Sequence, residues 1–193
     1  KNNMPPEVVL ESEVEIGADG TIEIEIDTAL AKAMHGDIDH KYSITAEVRD
    51  ESRRTIVGSG SVLVARKPFK VNLWMDRGYY RVGDVIQARA NARTLDGKGV
   101  EGEGTLKLLK IEYNDEGKPD EKTIASWDID TGKDGQIQQQ LKASVKGQYR
   151  LSYTLKDNAG HSIEGGYVFV VRGEGFNGKE FRFNAIEIIS DKK

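Results

Sequence analysis

Alternation of apolar and polar residues recurs along this chain. Thr21-Ile-Glu-Ile-Glu-Ile26 puts Ile22, Ile24 and Ile26 on one face and carboxylates on the other, which predicts a half-buried strand. Gln136-Ile-Gln-Gln-Gln-Leu141 alternates more weakly after its own Asp134-Gly135. Tyr42, Ile44, Ala46 and Val48 share one face, as do Tyr149, Leu151, Tyr153 and Leu155. Further strands are predicted over 71–75, 85–93, 104–113, 124–129 and 162–171. Asp50-Glu-Ser, Leu95-Asp-Gly-Lys98 and Asp157-Asn-Ala-Gly160 supply turns, and 114–122 reads as a solvated hairpin loop. One stretch departs from this texture: 27–36 has a capping Asp27, good helix formers and a closing Gly36, so a short helix is expected there. Short strands with a turn signal about every ten residues predict an all-β chain built as an antiparallel, immunoglobulin-like β-sandwich.

The pattern also repeats. Asp19-Gly20, Tyr42 to Asp50, Gly58 and Ser61-Val-Leu-Val64 recur as Asp134-Gly135, Tyr149 to Asp157, Gly165 and Tyr167-Val-Phe-Val170. Tyr149 follows Tyr42 by the same interval as Asp157 follows Asp50, 107 residues, so these stretches align without a gap. Each copy runs on into a similar strand, Val71-Asn-Leu-Trp-Met-Asp76-Arg77 and Ile186-Glu-Ile-Ile-Ser-Asp191-Lys192. A period of domain length predicts tandem modules of one fold. Pro68 suits a joint between them, because it cannot donate to a ladder. The expected organisation is a first module over 1–68 lacking its opening strands, a complete module over 69–175, and the linker and first strand of a third over 176–193.

Composition removes several classes of function. The 193 residues carry a formal net charge of −4 with both signs interspersed, so no basic stripe suits a nucleic-acid partner. No apolar run approaches the roughly 18 residues of a membrane span, and no membrane contact is expected of this segment. With no cysteine, disulfides, thiol nucleophiles and thiolate metal sites are excluded.

Val71-Asn-Leu-Trp-Met-Asp76-Arg-Gly-Tyr-Tyr80-Arg-Val-Gly83-Asp84-Val85 resembles the opening of macroglobulin domains, the β-sandwiches strung along the N-terminal half of alpha-2-macroglobulins and complement-like proteins. Their signature is an acid–Lys pair, a Tyr, then Pro-Gly-Asp/Glu before an apolar residue. Asp76, Tyr80, Gly83 and Asp84 match it as structural motif residues, and Val82 stands where Pro is usual. Thr94-Leu-Asp-Gly-Lys-Gly-Val100, Gly147-Gln-Tyr-Arg-Leu151 and Asp157-Asn-Ala-Gly160 look like later turns and strands of such a domain. Glu187-Ile-Ile-Ser-Asp-Lys-Lys193 looks like the start of the next. The absence of cysteine and the long acidic loops are most similar to the bacterial branch.

The resemblance implies a non-catalytic scaffold segment of a broad-spectrum endopeptidase inhibitor that traps proteases after bait cleavage. It implies a periplasmic or extracellular setting, with other domains of the same parent chain as partners and proteases met through the full-length protein. The alternative is a stalk or ligand-binding array of immunoglobulin-like modules in a bacterial surface adhesin or polysaccharide-associated protein. No enzymatic activity, cofactor or metal is expected. Asp128, Asp130 and Asp134 alternate as in a calcium loop, but Lys133 stands where an EF-hand needs Gly and Gln139 where it needs the bidentate Glu, so a strand end with an Asp-Gly turn is expected. His35, Asp37, Asp39 and His40 read as a solvated loop, and His161 as a turn residue with no evident acid partner. Gly58-Ser-Gly-Ser lacks the nucleophile-elbow pattern. Trp74 and Trp127 could form a sugar platform; their apolar neighbours make core packing the expected use.

Overall fold

The computed structural model describes residues 7–36 and 38–175. The chain divides into two units, Lys1–Asp39 and His40–Lys193. In the first, helix α1 (Ala29–His35) forms where expected. Asp27 Oδ1 accepts the Ala29 N–H at 2.8 Å, and the Gly36 N–H closes the other end on Lys32 O at 2.8 Å. Residues 21–26 are not a strand, which corrects the expectation from their alternation. Gly17 N–H bonds Thr21 O and Asp19 Oδ1 accepts the Thr21 N–H, so the stretch begins in a local turn. Ile22 and Ile24 stand exposed. Alternation makes a strand only where a ladder partner exists, and none is present among the described residues.

The second unit opens with a hairpin, β1 (His40–Arg49) against β2 (Thr55–Val64). After it come β3 (Lys70–Met75), β4 (Tyr79–Arg81), β5 (Val85–Arg93), β6 (Gly102–Tyr113), β7 (Pro119–Asp128), β8 (Gln136–Lys142), β9 (Gly147–Asp157) and β10 (Ser162–Arg172). These eight make a sandwich of a five-stranded sheet, ordered β4-β10-β9-β6-β7, and a three-stranded sheet, β3-β5-β8. The all-β fold class read from the pattern is therefore observed. Pairing is antiparallel except between β4 and β10, which run parallel. Inward residues of the small sheet (Val71, Leu73, Ile86, Ala90, Ile137) meet Leu106, Leu151, Leu155 and Phe169 of the large one in a single apolar cluster. The aromatic centre is Phe169, stacked on Tyr149 at 5.5 Å and met edge-on by Tyr80 at 5.9 Å.

Two differences from the pattern have local causes. Strand β7 starts at Pro119, so the loop is shorter than 114–122. Its turn closes by Asn114 N–H to Lys118 O, and Lys122 belongs to the ladder, where it bonds Glu112. Proline is tolerated there because β7 is an edge strand. Strand β4 was not foreseen, since three residues carry no period.

The internal repeat is realised as two hairpins of identical register. Tyr42 faces Val62 as Tyr149 faces Phe169, and Ala46 faces Gly58 as Tyr153 faces Gly165. Their turns match as well. Asp50 O accepts the Arg53 N–H and Asp50 Oδ1 the Arg54 N–H, while Asp157 O accepts from Gly160 and Asp157 Oδ1 from His161. Arg53 even holds a positive φ of 61° where the second hairpin has Gly160 at 88°. The difference lies in burial: β9 is mostly buried, whereas no residue of β1 or β2 is.

Gly165 shows what covers the second hairpin. A Cβ there would sit 2.4 Å from Val71 O, because β3 crosses β10 at that point. At the equivalent Gly58 a Cβ would meet open space. Gly165→Ala is expected to cost about 1–3 kcal/mol by urea denaturation, as overpacking against backbone does. Gly58→Ala should stay within about 0.5 kcal/mol.

Candidate functional site

The residues matched to the macroglobulin signature converge on one loop, between β3 and β5. Tyr80 is fully buried, its ring pinned against Phe169. Its phenol O–H donates to Asp76 Oδ1 at 2.5 Å and accepts the Arg77 N–H at 3.3 Å. The Arg77 guanidinium lies over the ring at 4.9 Å and reaches Asp76 Oδ2 at 3.2 Å and Asp84 Oδ2 at 3.7 Å. Burial first, and then the Asp76 hydrogen bond, push the Tyr80 phenol well above its usual range. The same hydrogen bond holds Asp76 below the ordinary carboxylate range.

The turn after β4 is a second knot. Asp84 N–H bonds Arg81 O at 3.0 Å, and Asp84 Oδ2 accepts the Arg81 N–H at 2.9 Å. Gly83 takes a φ of 99°, the left-handed region, and its N–H bonds Ala143 O at 2.7 Å. Ala143 N–H returns a bond to Asp84 O at 2.9 Å, which ties the turn to the end of β8. At Val82, the position where the macroglobulin signature has Pro, the N–H donates to Arg172 O at 2.9 Å. Proline could not make that bond, so in this chain Val82 adds a tie to β10 at the place where the signature departs. The arrangement fixes the backbone of the loop against β8 and β10.

The other candidates resolve locally. Asp130 Oδ1 accepts the Gly104 N–H, Asp128 pairs with Thr105 Oγ1, and Asp134 accepts the Gln136 N–H, with Gly135 turning the chain at a φ of 65°. A shallow cleft lies over Glu103, Thr105, Asp128, Asp130 and Lys156. Its two aspartates are engaged in these local bonds. Among the described residues no group of three ligands could hold a metal; Asp37 lies outside them. Ser59 is exposed mid-strand in β2. His161 does have an acid partner, unlike the expectation: its Nδ1 lies 3.0 Å from Asp157 Oδ2, completing the hairpin turn. The two tryptophans part ways. Trp127 packs on the core edge, whereas Trp74 points outward from β3 and is 36% exposed, which corrects its expected burial. The aromatics at 176, 181 and 183 lie outside the described residues.

No known protein family's profile matches the chain, and no curated protein does. Among solved structures it is similar to Spo0M, a sporulation control protein of Bacillus subtilis, at 15% identity and TM-score 0.39, over 54% of this chain and 49% of that one. It is similar to the native conformation of E. coli alpha-2-macroglobulin at 10% identity and TM-score 0.43, over 74% of this chain and 10% of that one. It is also similar to a tetra-tandem repeat from the extending region of a large adhesion protein, at 11% identity and TM-score 0.35, over 81% and 37%. The chain thus spans about half of the first protein and a tenth of the second. At such scores none of these assigns a function.

Tyr80→Phe keeps the ring and removes the bond to Asp76. Because Asp76 is about half exposed, water screens that bond, and a loss of about 1 kcal/mol at neutral pH is expected. A depressed carboxylate contributes stability above its unfolded pKa of about 3.9 and loses it as pH falls through the folded value. The gap between wild type and Tyr80→Phe in urea unfolding should therefore narrow as pH falls below about 4. Val82→Pro should cost about 1 kcal/mol through the lost bond to Arg172. An unchanged midpoint would remove that bond from the account.

Proposed function

We propose that this chain is a non-catalytic scaffold segment of a bacterial alpha-2-macroglobulin-like protein, an endopeptidase inhibitor that encloses a protease once its bait is cut. The observation that supports this reading is the Asp76–Asp84 loop. The four residues matching the macroglobulin signature lie in two adjoining hydrogen-bonded knots bridged by Arg77, and the second ties the start of the module to the end of β8. A domain that must hold its neighbours in position needs a rigid entry of that kind, and it needs no reactive group. The hairpin duplicated in register supports an array of like modules. On this reading the chain works in the cell envelope, with flanking domains of its parent as direct partners and proteases as targets of the whole.

The test uses the full-length parent with a broad-specificity protease, comparing cleavage of a large protein substrate with that of a small chromogenic peptide. Protection of the large substrate while the small one is still cut is expected, because a caged protease stays accessible to small molecules. Equal cleavage of both would overturn the trapping reading and leave the modular stalk. The isolated 193-residue chain should protect neither substrate.

A further inference from the structure

The outward face of the three-stranded sheet differs in chemistry from the rest of the sandwich surface. Register sets Asn72, Asn91 and Gln136 in one row and Trp74, Arg89 and Gln138 in the next. Gln87 faces Gln140 in a third row. Lys70 opposite Arg93 ends the face on one side, and Val85 opposite Lys142 on the other. Every formal charge at these positions is positive. No Asp or Glu occupies an outward position on the three strands, although the chain holds 32 acidic residues against 28 basic ones.

The large sheet follows the opposite rule. There Glu112 sits between Lys110 and Lys122, and Arg150 between Glu121 and Glu164, so cations find their counter-ions in the ladder. On the small sheet Arg89 has only Trp74 and Gln138 beside it in the ladder. The carboxylates at the strand ends are engaged: Asp76 with Tyr80 and Arg77, and Asp134 with the Gln136 N–H. Four of the six outward amides are held in orientation as two pairs. Asn72 Nδ2 donates to Asn91 Oδ1 at 3.0 Å, and Gln138 Nε2 donates to Gln87 Oε1 at 3.2 Å. An amide bonded through one end keeps further donor or acceptor capacity for a ligand.

These groups suit one kind of ligand. Paired amides can donate to and accept from neighbouring sugar hydroxyls. An exposed indole stacks on the C–H face of a pyranose, and an arginine fork matches a carboxylate. Same-face side chains recur about every 6.8 Å along a strand, so the five rows span about 27 Å, room for several linked sugars. We propose that this face binds an acidic polysaccharide, a chain of uronic-acid units lying along β5, with one ring on Trp74 and a carboxylate at Arg89. A single-stranded nucleic acid fits less well, because one tryptophan offers a single stacking position and six amides are surplus to phosphate contacts. The site is separate from the Asp76–Asp84 loop and independent of the scaffold reading.

Isothermal titration of the 193-residue chain with hexagalacturonate tests it, against neutral maltohexaose and a heptathymidylate of matching charge. Binding of hexagalacturonate alone is expected, weakened by added salt as exposed charge pairs are. Trp74→Ala should weaken it about tenfold or more, as loss of a stacking platform does. Arg89→Gln, which keeps N–H donors but removes the charge, should weaken it about fivefold and flatten the salt dependence. Both residues point outward, and unchanged thermal melts would show that the variants fold. Absence of hexagalacturonate binding would overturn the proposal, as would equal binding of the neutral sugar or of the nucleotide. Binding that survives both substitutions unchanged would place the ligand elsewhere and overturn it equally.

Discussion

A phenol taken out of water must find a partner for its hydroxyl, and this sandwich buries three. Tyr80 donates to Asp76, Tyr149 to Val145 O at 2.8 Å, and Tyr153 to Ile129 O at 2.7 Å. An unmet hydroxyl at such depth costs on the order of 1–3 kcal/mol, so each ring is useful only if the loop opposite stands in one position. The three bonds accordingly fix the loop after β3, the turn between β8 and β9, and the exit from β7. Burial raises the pKa of all three phenols, that of Tyr153 to about 12, so they remain neutral donors throughout the physiological range. The apolar cluster between the sheets supplies the bulk of the driving force, and the tyrosines convert it into defined loop geometry.

Most of the strand positions were legible because a sheet with one buried face imposes a period of two. Strand β5 is bounded at Val85 and Arg93 as its pattern reads, and Gly83 and Asp84 announce the turn before it. The errors share one cause: local sequence reports a face but not a partner. Residues 21–26 have the cleanest alternation in the chain and no ladder to join. Trp74 has apolar neighbours on both sides, and for that reason it faces outward, since Leu73 and Met75 take the core. The Asp157–His161 contact was missed although a four-residue separation across a tight turn is the distance at which such pairs meet. The outward face of the small sheet emerges only when β3, β5 and β8, widely separated in sequence, are laid side by side.

The two outer faces of the sandwich also divide labour. On the large sheet, opposite charges alternate across strands and satisfy one another; Glu112, held between two lysines, has its pKa lowered to about 2. A surface neutralised in this way is suited to staying unbound in solution. The small sheet turns cations and amides outward with no acid at an outward position on its strands. The Asp76–Asp84 loop joins the two, since β3 belongs to one sheet and β4 to the other.

The matched hairpins have a consequence for how the chain reaches this state. During folding, β1–β2 and β9–β10 offer the same register and the same turn to one vacancy beside β6. Repeat proteins misassemble when like elements compete in this manner. Side-chain volume decides between them: Tyr153 and Phe169 fill space that Ala46 and Val62 would leave empty. Backbone pairing does not distinguish the two hairpins, so the volume of the side chains that face the core does.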